Sequence, residues 1–237
     1  MNIALILAAG SGTRMGNTSK PKQFLEIYNK PLIVHTIEAF ELHDQIDGIL
    51  VVTNESYVDQ VKIWCKQYDL SKVRYVVAGG SSRRISVYNG LKQLKEAGIQ
   101  DDDLVLIHDA ARPLISQSII SENIVSGLKY GAVDTVIPSS DTIIRSIDKE
   151  TIVEIQKRSE QYQGQTPQTF KFGIIVKAHE EAIRNDNTET TDDCRLVFNT
   201  GVPIHLVNGS KLNFKITTFD DLMMLKALLK IGKTEVI

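Results

Sequence analysis

An apolar opening run, Ile3-Ala4-Leu5-Ile6-Leu7, leads directly into Ala8-Ala9-Gly10-Ser11-Gly12-Thr13-Arg14-Met15-Gly16, and Lys20, Pro21 and Lys22 follow downstream. Small residues let backbone N–H groups come close to a polyphosphate, and flanking cations neutralise its charge. The spacing excludes two familiar phosphate loops. A Walker A loop needs Gly-Lys-Ser/Thr behind its glycines, and the dinucleotide fingerprint needs a glycine three residues after Gly12, where Met15 stands.

Other candidates for chemistry lie further on. Asp109 ends the apolar run at 103–108 and begins the cluster Asp109-Ala110-Ala111-Arg112-Pro113. Ligands of open α/β sheets gather at the C-terminal ends of strands, so Asp109 is a site candidate. Its ordinary alternative is a helix cap or an ion pair with Arg112, which reads as a support for this loop. Taken alone, the Gly79-Gly80 pair is a turn signal, and Lys215, alternating with Phe214 and Ile216, would face solvent. The histidines at 35, 43, 108, 179 and 205 show no metal-ligand spacing, which disfavours zinc. Cys65 and Cys194 form no CxxC pair and read as packed thiols.

The elements that must position these residues follow from the apolar pattern. Runs at 3–7, 48–53, 73–77, 103–108, 132–137 and 203–207 read as buried strands. Periodic segments at 32–42, 56–68, 86–97, 116–130 and 220–229 read as helices between them. Trp64, Ile63 and Tyr68 read as helix-face packing. Alternation of this kind predicts an α/β domain of three layers around a parallel sheet. The stretch 138–165 breaks the pattern: 139–146 and 151–155 read as short strands around the turn 148–150. A hairpin this small has no core of its own and is expected to pack on something else, such as a second subunit.

Composition sets the outer bounds. The 237 residues are 42% hydrophobic and 24% charged, with a net charge of −2, which fits one globular domain over 1–237 and argues against a general nucleic-acid binder. No run approaches the ~18 apolar residues of a membrane span. The opening segment lacks the basic start of a signal peptide, so a cytoplasmic location is expected.

Together AAGSGTRMG at 8–16, PKQFL at 21–25, AGGSSRRISVYNGL at 78–91, HDAARP at 108–113, SDTI at 140–143, QTPQTF at 165–170, TDD at 191–193 and NFKITT at 213–218 resemble, in order and over almost the whole chain, the cytidylyltransferases of the IspD and TarI type. The resemblance implies a Rossmann-like nucleotidyltransferase fold with a protruding β-arm at about 138–165, a homodimer with shared active sites, CTP as co-substrate, Mg²⁺ as cofactor and release of pyrophosphate. It implies catalytic cations at Arg14, Lys22 and Lys215. Ala8, Ala9, Gly10, Gly12, Gly79, Gly80, Ser81, Ser86 and Asp109 would bind the nucleotide. Asp109, Thr142, Arg158 and Thr166 would bind the acceptor, and Asp109 the metal, with Arg158 reaching from the arm into the neighbouring subunit.

Two polyol phosphates compete as acceptor. HDAARP, the first loop and TDD resemble the 2-C-methyl-D-erythritol 4-phosphate branch, which leads; AVDTV at 132–136 and YQGQTPQTF at 162–170 resemble the D-ribitol 5-phosphate branch. A nucleotidyltransferase of another specificity and a non-catalytic nucleotide-binding protein are the remaining alternatives.

Overall fold

A computed structural model describes residues 1–10, 20–185 and 192–234. In chain order the elements are β1 (Asn2–Ala8), β2 (Glu26–Ile27), β3 (Lys30–Pro31), α1 (Leu32–Glu41), β4 (Gly48–Thr53), α2 (Val58–Gln67), β5 (Val73–Ala78), α3 (Arg83–Glu96), β6 (Leu104–Asp109) and α4 (Gln117–Tyr130). They continue with β7 (Ala132–Pro138), β8 (Ile144–Arg145), β9 (Glu154–Ile155), β10 (Tyr162–Lys171), α5 (Phe172–Arg184), α6 (Asp193–Asn199), β11 (His205–Asn208) and α7 (Phe219–Thr234).

Seven strands form one sheet in the order β11-β7-β10-β6-β1-β4-β5. The alternation of side chains across each central strand supplies two cores. Ala4, Ile6 and Ala8 of β1 and Leu104 and Leu106 of β6 meet α1, α2 and α4 on one face. Ile3 and Leu5, with Val105 and Ile107, meet α3, α5 and α6 on the other. Strands covered on both sides have no polar face, which is why these segments read as unbroken apolar runs. A smaller cluster of Ile27, Leu32, Ala111, Ile216, Leu222 and Leu225 seats α7.

The expected sheet was parallel; the observed one is mixed. β10 runs antiparallel to both β6 and β7 and lies between them. Its sequence escaped the apolar pattern because Gln165, Thr166, Gln168 and Thr169 are buried polar residues. Their burial is tolerated because they are hydrogen-bonded. The Thr169 hydroxyl donates to Asn123 Oδ1 at 2.9 Å, Asn123 Nδ2 donates to the Thr135 hydroxyl at 2.9 Å, and that hydroxyl donates to the Pro167 carbonyl at 2.6 Å. Helices α5 and α6 also went unread, although Phe172, Ile175, Ala178, His179 and Ala182 give α5 a regular buried face.

The expected hairpin is present but shorter. Only Ile144–Arg145 and Glu154–Ile155 pair. The Asp148 carboxylate closes the turn, accepting from the Ser146 hydroxyl and from the backbone and side chain of Thr151.

Register brings the chemistry to one edge. Leu7 pairs with Asp109, Ala8 with Thr53 and Thr53 with Ala78, so the C-terminal ends of β6, β1, β4 and β5 finish side by side in that order.

Candidate active site

At that edge lies a cavity of about 400 Å³, within the usual range for small-ligand sites. Ala8, Ala9 and Gly10 form one wall, Gly80, Ser81, Ser82 and Arg83 another, and Lys22, Lys215 and Asp109 supply most of the charge. Gln23 shapes the first wall: its side-chain amide donates to the carbonyls of Ala8 at 2.6 Å and Gly10 at 2.8 Å. Next to it Phe24 is buried and stacks on Tyr57 at 4.1 Å, which anchors the short 3-10 turn Lys22–Phe24 and with it Lys22. The Lys22 ammonium donates to the Ile216 carbonyl at 2.6 Å.

Asp109 is the centre of the charge cluster. Lys215 Nζ stands 2.8 Å from its Oδ2, and Arg112 Nε 3.5 Å from the same atom. Burial alone would raise this carboxyl, but Lys215, Arg83 and Arg112 outweigh it and hold Asp109 well below the usual carboxylate range. The segment carrying Lys215 is pinned from both sides. Arg112 donates to the Asn213 carbonyl at 2.7 Å, and the Ile216 amide donates to the Ala111 carbonyl at 2.8 Å. Lys215 therefore faces inward, contrary to the exposed-strand reading of its local sequence.

Behind Asp109, Thr166 and His108 form a buried support. The Thr166 hydroxyl accepts from the Asp109 amide at 3.1 Å and lies 3.0 Å from His108 Nδ1. His108 Nε2 lies 3.1 Å from the Arg112 carbonyl, an acceptor only, so Nε2 carries the proton and Nδ1 receives the Thr166 hydroxyl. Burial lowers His108 to about 4, so it is neutral near pH 7 and serves as a fixed strut.

The second wall depends on close approach of backbone. A Cβ on Gly79 would lie 2.5 Å from Ala9 Cβ and 2.8 Å from Ser86 Oγ, and one on Gly80 would collide with Ile85. Only glycine lets this loop meet both the first wall and α3. The Ser86 hydroxyl donates to the Ser82 carbonyl at 2.8 Å and accepts from the Gly80 amide at 3.1 Å. Ser82 caps α3, its side chain accepting from the Ile85 amide at 3.2 Å. The helix start, with its partial positive charge, thus abuts the cavity.

Of the residues expected to act, Ala8, Ala9, Gly10, Lys22, Gly80, Ser81, Ser86, Asp109 and Lys215 line this one cavity, and Gly79 lies just behind it. Gly12 and Arg14 lie outside the described residues. Thr142 and Arg158 do not line the cavity; both are exposed on the arm. Thr166 is buried, its hydroxyl accepting from the Asp109 amide.

Comparison with known proteins agrees with this geometry. The family model described as 2-C-methyl-D-erythritol 4-phosphate cytidylyltransferase, IspD, matches residues 2–231. The chain belongs to the IspD family. It is a cytidylyltransferase, with CTP as co-substrate. This IspD-family chain is 42% identical to the ribitol-5-phosphate cytidylyltransferase of Lactiplantibacillus plantarum over 231 residues, 97% of this chain and 99% of that one. Among solved structures it resembles a 4-diphosphocytidyl-2C-methyl-D-erythritol synthase at 32% identity with a TM-score of 0.78, covering 96% of this chain and 97% of that one. It also resembles the synthase of the same name from Anaerococcus prevotii at 29% identity and a TM-score of 0.82, covering 97% and 96%.

Arg83 and Asp193 were missed by sequence reasoning. Arg83 lines the cavity, and its guanidinium is 2.6 Å from the buried Asp193 carboxylate. Both lie inside quoted motifs, AGGSSRRISV and TDD, so a signal existed. No local pattern joins residues so far apart in the chain.

Proposed function

We propose that this enzyme transfers CMP from CTP to D-ribitol 5-phosphate in the cavity at the ends of β1, β5 and β6. A phosphate oxygen of the acceptor forms a bond to the α-phosphorus of CTP while the bond from that phosphorus to the β-phosphate oxygen breaks, and pyrophosphate leaves. Negative charge gathers on the phosphoryl oxygens in the transition state, so fixed cations and in-line positioning supply the catalysis. Lys22 and Lys215 are those cations among the described residues, and Arg14 is a third by motif. The glycine-lined wall at 79–81 receives the cytosine with Ser86 behind it. Asp109 orients Lys215. As the single carboxylate among the described lining residues, Asp109 also fits the way Mg²⁺ is held by one carboxylate together with substrate phosphates. Bound there, Mg²⁺ would neutralise phosphate charge.

The observation that carries the choice of acceptor is the 42% identity, nearly end to end, with a ribitol-5-phosphate cytidylyltransferase. A second reading, 2-C-methyl-D-erythritol 4-phosphate, is favoured by the family model and by the names of the solved neighbours. The exposed positions of Arg158 and Thr142, with the apolar surface around them, support a homodimer in which each arm completes the partner's acceptor site. Pyrophosphate release with CTP and Mg²⁺, run in parallel with the two polyol phosphates, tests the choice. The larger kcat/KM belongs to the true acceptor, and a preference for methylerythritol phosphate overturns the ribitol assignment.

A further inference from the structure

The wall of the cavity at α3 is held by a buried relay that the reaction outlined above does not use. Arg83, the first residue of α3, donates from Nη1 to Asp193 Oδ2 at 2.6 Å. Asp193 is 1% exposed, and its other oxygen lies 3.1 Å from Nε2 of His179, which is fully buried. Because a carboxylate only accepts, Nε2 carries the proton, and Nδ1 is left buried with no hydrogen-bond partner. The His179 ring stacks on Tyr88 of α3 at 6.0 Å between centroids. The Asp193 amide donates to Gln168 Oε1 at 2.9 Å, which ties the relay to β10, the strand that carries Thr166. Burial of Asp193 opposes its ionisation, but Arg83 and His179 prevail and keep it a carboxylate.

A buried carboxylate is costly unless fully partnered, and a neutral pair of the same shape would serve packing as well or better. Here one partner is the guanidinium of a residue that lines the cavity, at the start of a helix with no acidic residue in its first turn. A guanidinium has five donors in a fixed fork, and the Asp193 bond also orients the rest.

We propose that Asp193, braced by His179, is a positioning residue that aims Arg83 at the bound nucleotide, making Arg83 a further nucleotide-contacting cation of the cavity. This rests on the reading of the cavity as the CTP site. The relay is also a route by which β10 and the nucleotide wall are set together.

Calorimetric titration with CTP in the presence of Mg²⁺, and steady-state kinetics with the preferred acceptor, test it on the full-length protein. The variants are Arg83→Gln, Arg83→Lys and Asp193→Asn. Expected is a rise of about tenfold in both Kd and KM for CTP in Arg83→Gln and Asp193→Asn, with the acceptor KM within about twofold. Arg83→Lys, which keeps the charge without the fork, should fall between wild type and Arg83→Gln. The double variant should be no worse than the poorer single one, since the residues act as a unit. CTP constants within about twofold of wild type in folded Arg83→Gln would overturn the proposal, even if Asp193→Asn lowers Tm or fails to fold. Wild-type protein that does not bind CTP would instead sink the cavity assignment.

Discussion

Around Asp109 and on the arm, this molecule places charged and apolar groups in opposite ways. Asp109 is buried with Lys215 and Arg112 within 3.5 Å, and its loop is tied to Thr166, His108 and the 213–217 segment by hydrogen bonds inside one chain. On the arm, Arg158 and Thr142 are exposed, and so are Ile144, Ile147, Ile152, Val153 and Ile155, with Ile147 74% exposed. The cluster around Asp109 is therefore held in place by contacts within one chain. The arm is a ribbon of two paired residues per strand, too little to be stable alone. The contrast is between a charge cluster built within one chain and an arm whose polar and apolar side chains stand uncovered in that chain.

Four experiments probe that contrast. The largest effect should come from Lys22→Ala, which removes a cation from the cavity. Turnover should fall about 10²–10³-fold, as when a single transition-state donor is lost, while Tm barely moves. A near-normal rate would mean the cavity does not work by cationic stabilisation.

Lys215→Met should cost about 2–3 kcal/mol of stability in denaturant titration, because it strips the nearest partner from a buried carboxylate that Arg83 and Arg112 then hold alone. The sign with pH follows from the lowered value at Asp109. Its contribution is present above the ordinary carboxylate pKa and is lost as pH falls through the depressed one, so the variant's acid limb should move to higher pH. An unchanged acid limb would show that Asp109 does not depend on Lys215.

On the arm the expectation is different. Arg158→Ala should leave Tm and the CTP KM close to wild type while raising the acceptor KM at least about tenfold, since a bidentate guanidinium–phosphate contact is lost. Mixing it with Lys22→Ala under conditions of subunit exchange should recover activity, because a hybrid dimer would hold one intact composite site. No recovery would place Arg158 outside the partner's site.

The smallest effect is at Asp134 of β7, where burial pushes the carboxyl up to about 6 despite a bond from Gln168. Stability linked to this group is full below its unfolded pKa and is lost as pH rises through about 6. Asp134→Asn should therefore stabilise the protein by about 1–2 kcal/mol at pH 8 and by nothing near pH 4. Thermal melts across that range check it, and a gain independent of pH would exclude the carboxyl as its source. His108 bends the wild-type curve the other way, since a histidine held neutral loses stability as pH falls from 6.5 toward 4.

Sequence reasoning found the central strands because they are covered on both faces, and it singled out Ala8, Ala9, Gly10 and Asp109, which line the cavity, because small residues and a carboxylate at strand ends stand out from the apolar runs before them. It located the arm as an interruption of the pattern. It failed at β10, where polar residues are buried in partnered positions, since hydropathy does not register a hydrogen bond. It also failed at Arg83 and Asp193, which lie 110 residues apart in the chain. Lys215 looked like a surface lysine until the contacts of Arg112 and Ile216 turned its segment inward.

Family, chemistry and most of the cavity-lining residues were thus present in one dimension, because ordered motifs and buried strands impose local rules on residue type. The opposite run of β10, the inward turn of Lys215, the strut role of Thr166 and the Arg83–Asp193–His179 relay were decided only in three dimensions. Each depends on partners far apart in the chain, and whether a polar group is satisfied or stranded is a property of the packed molecule.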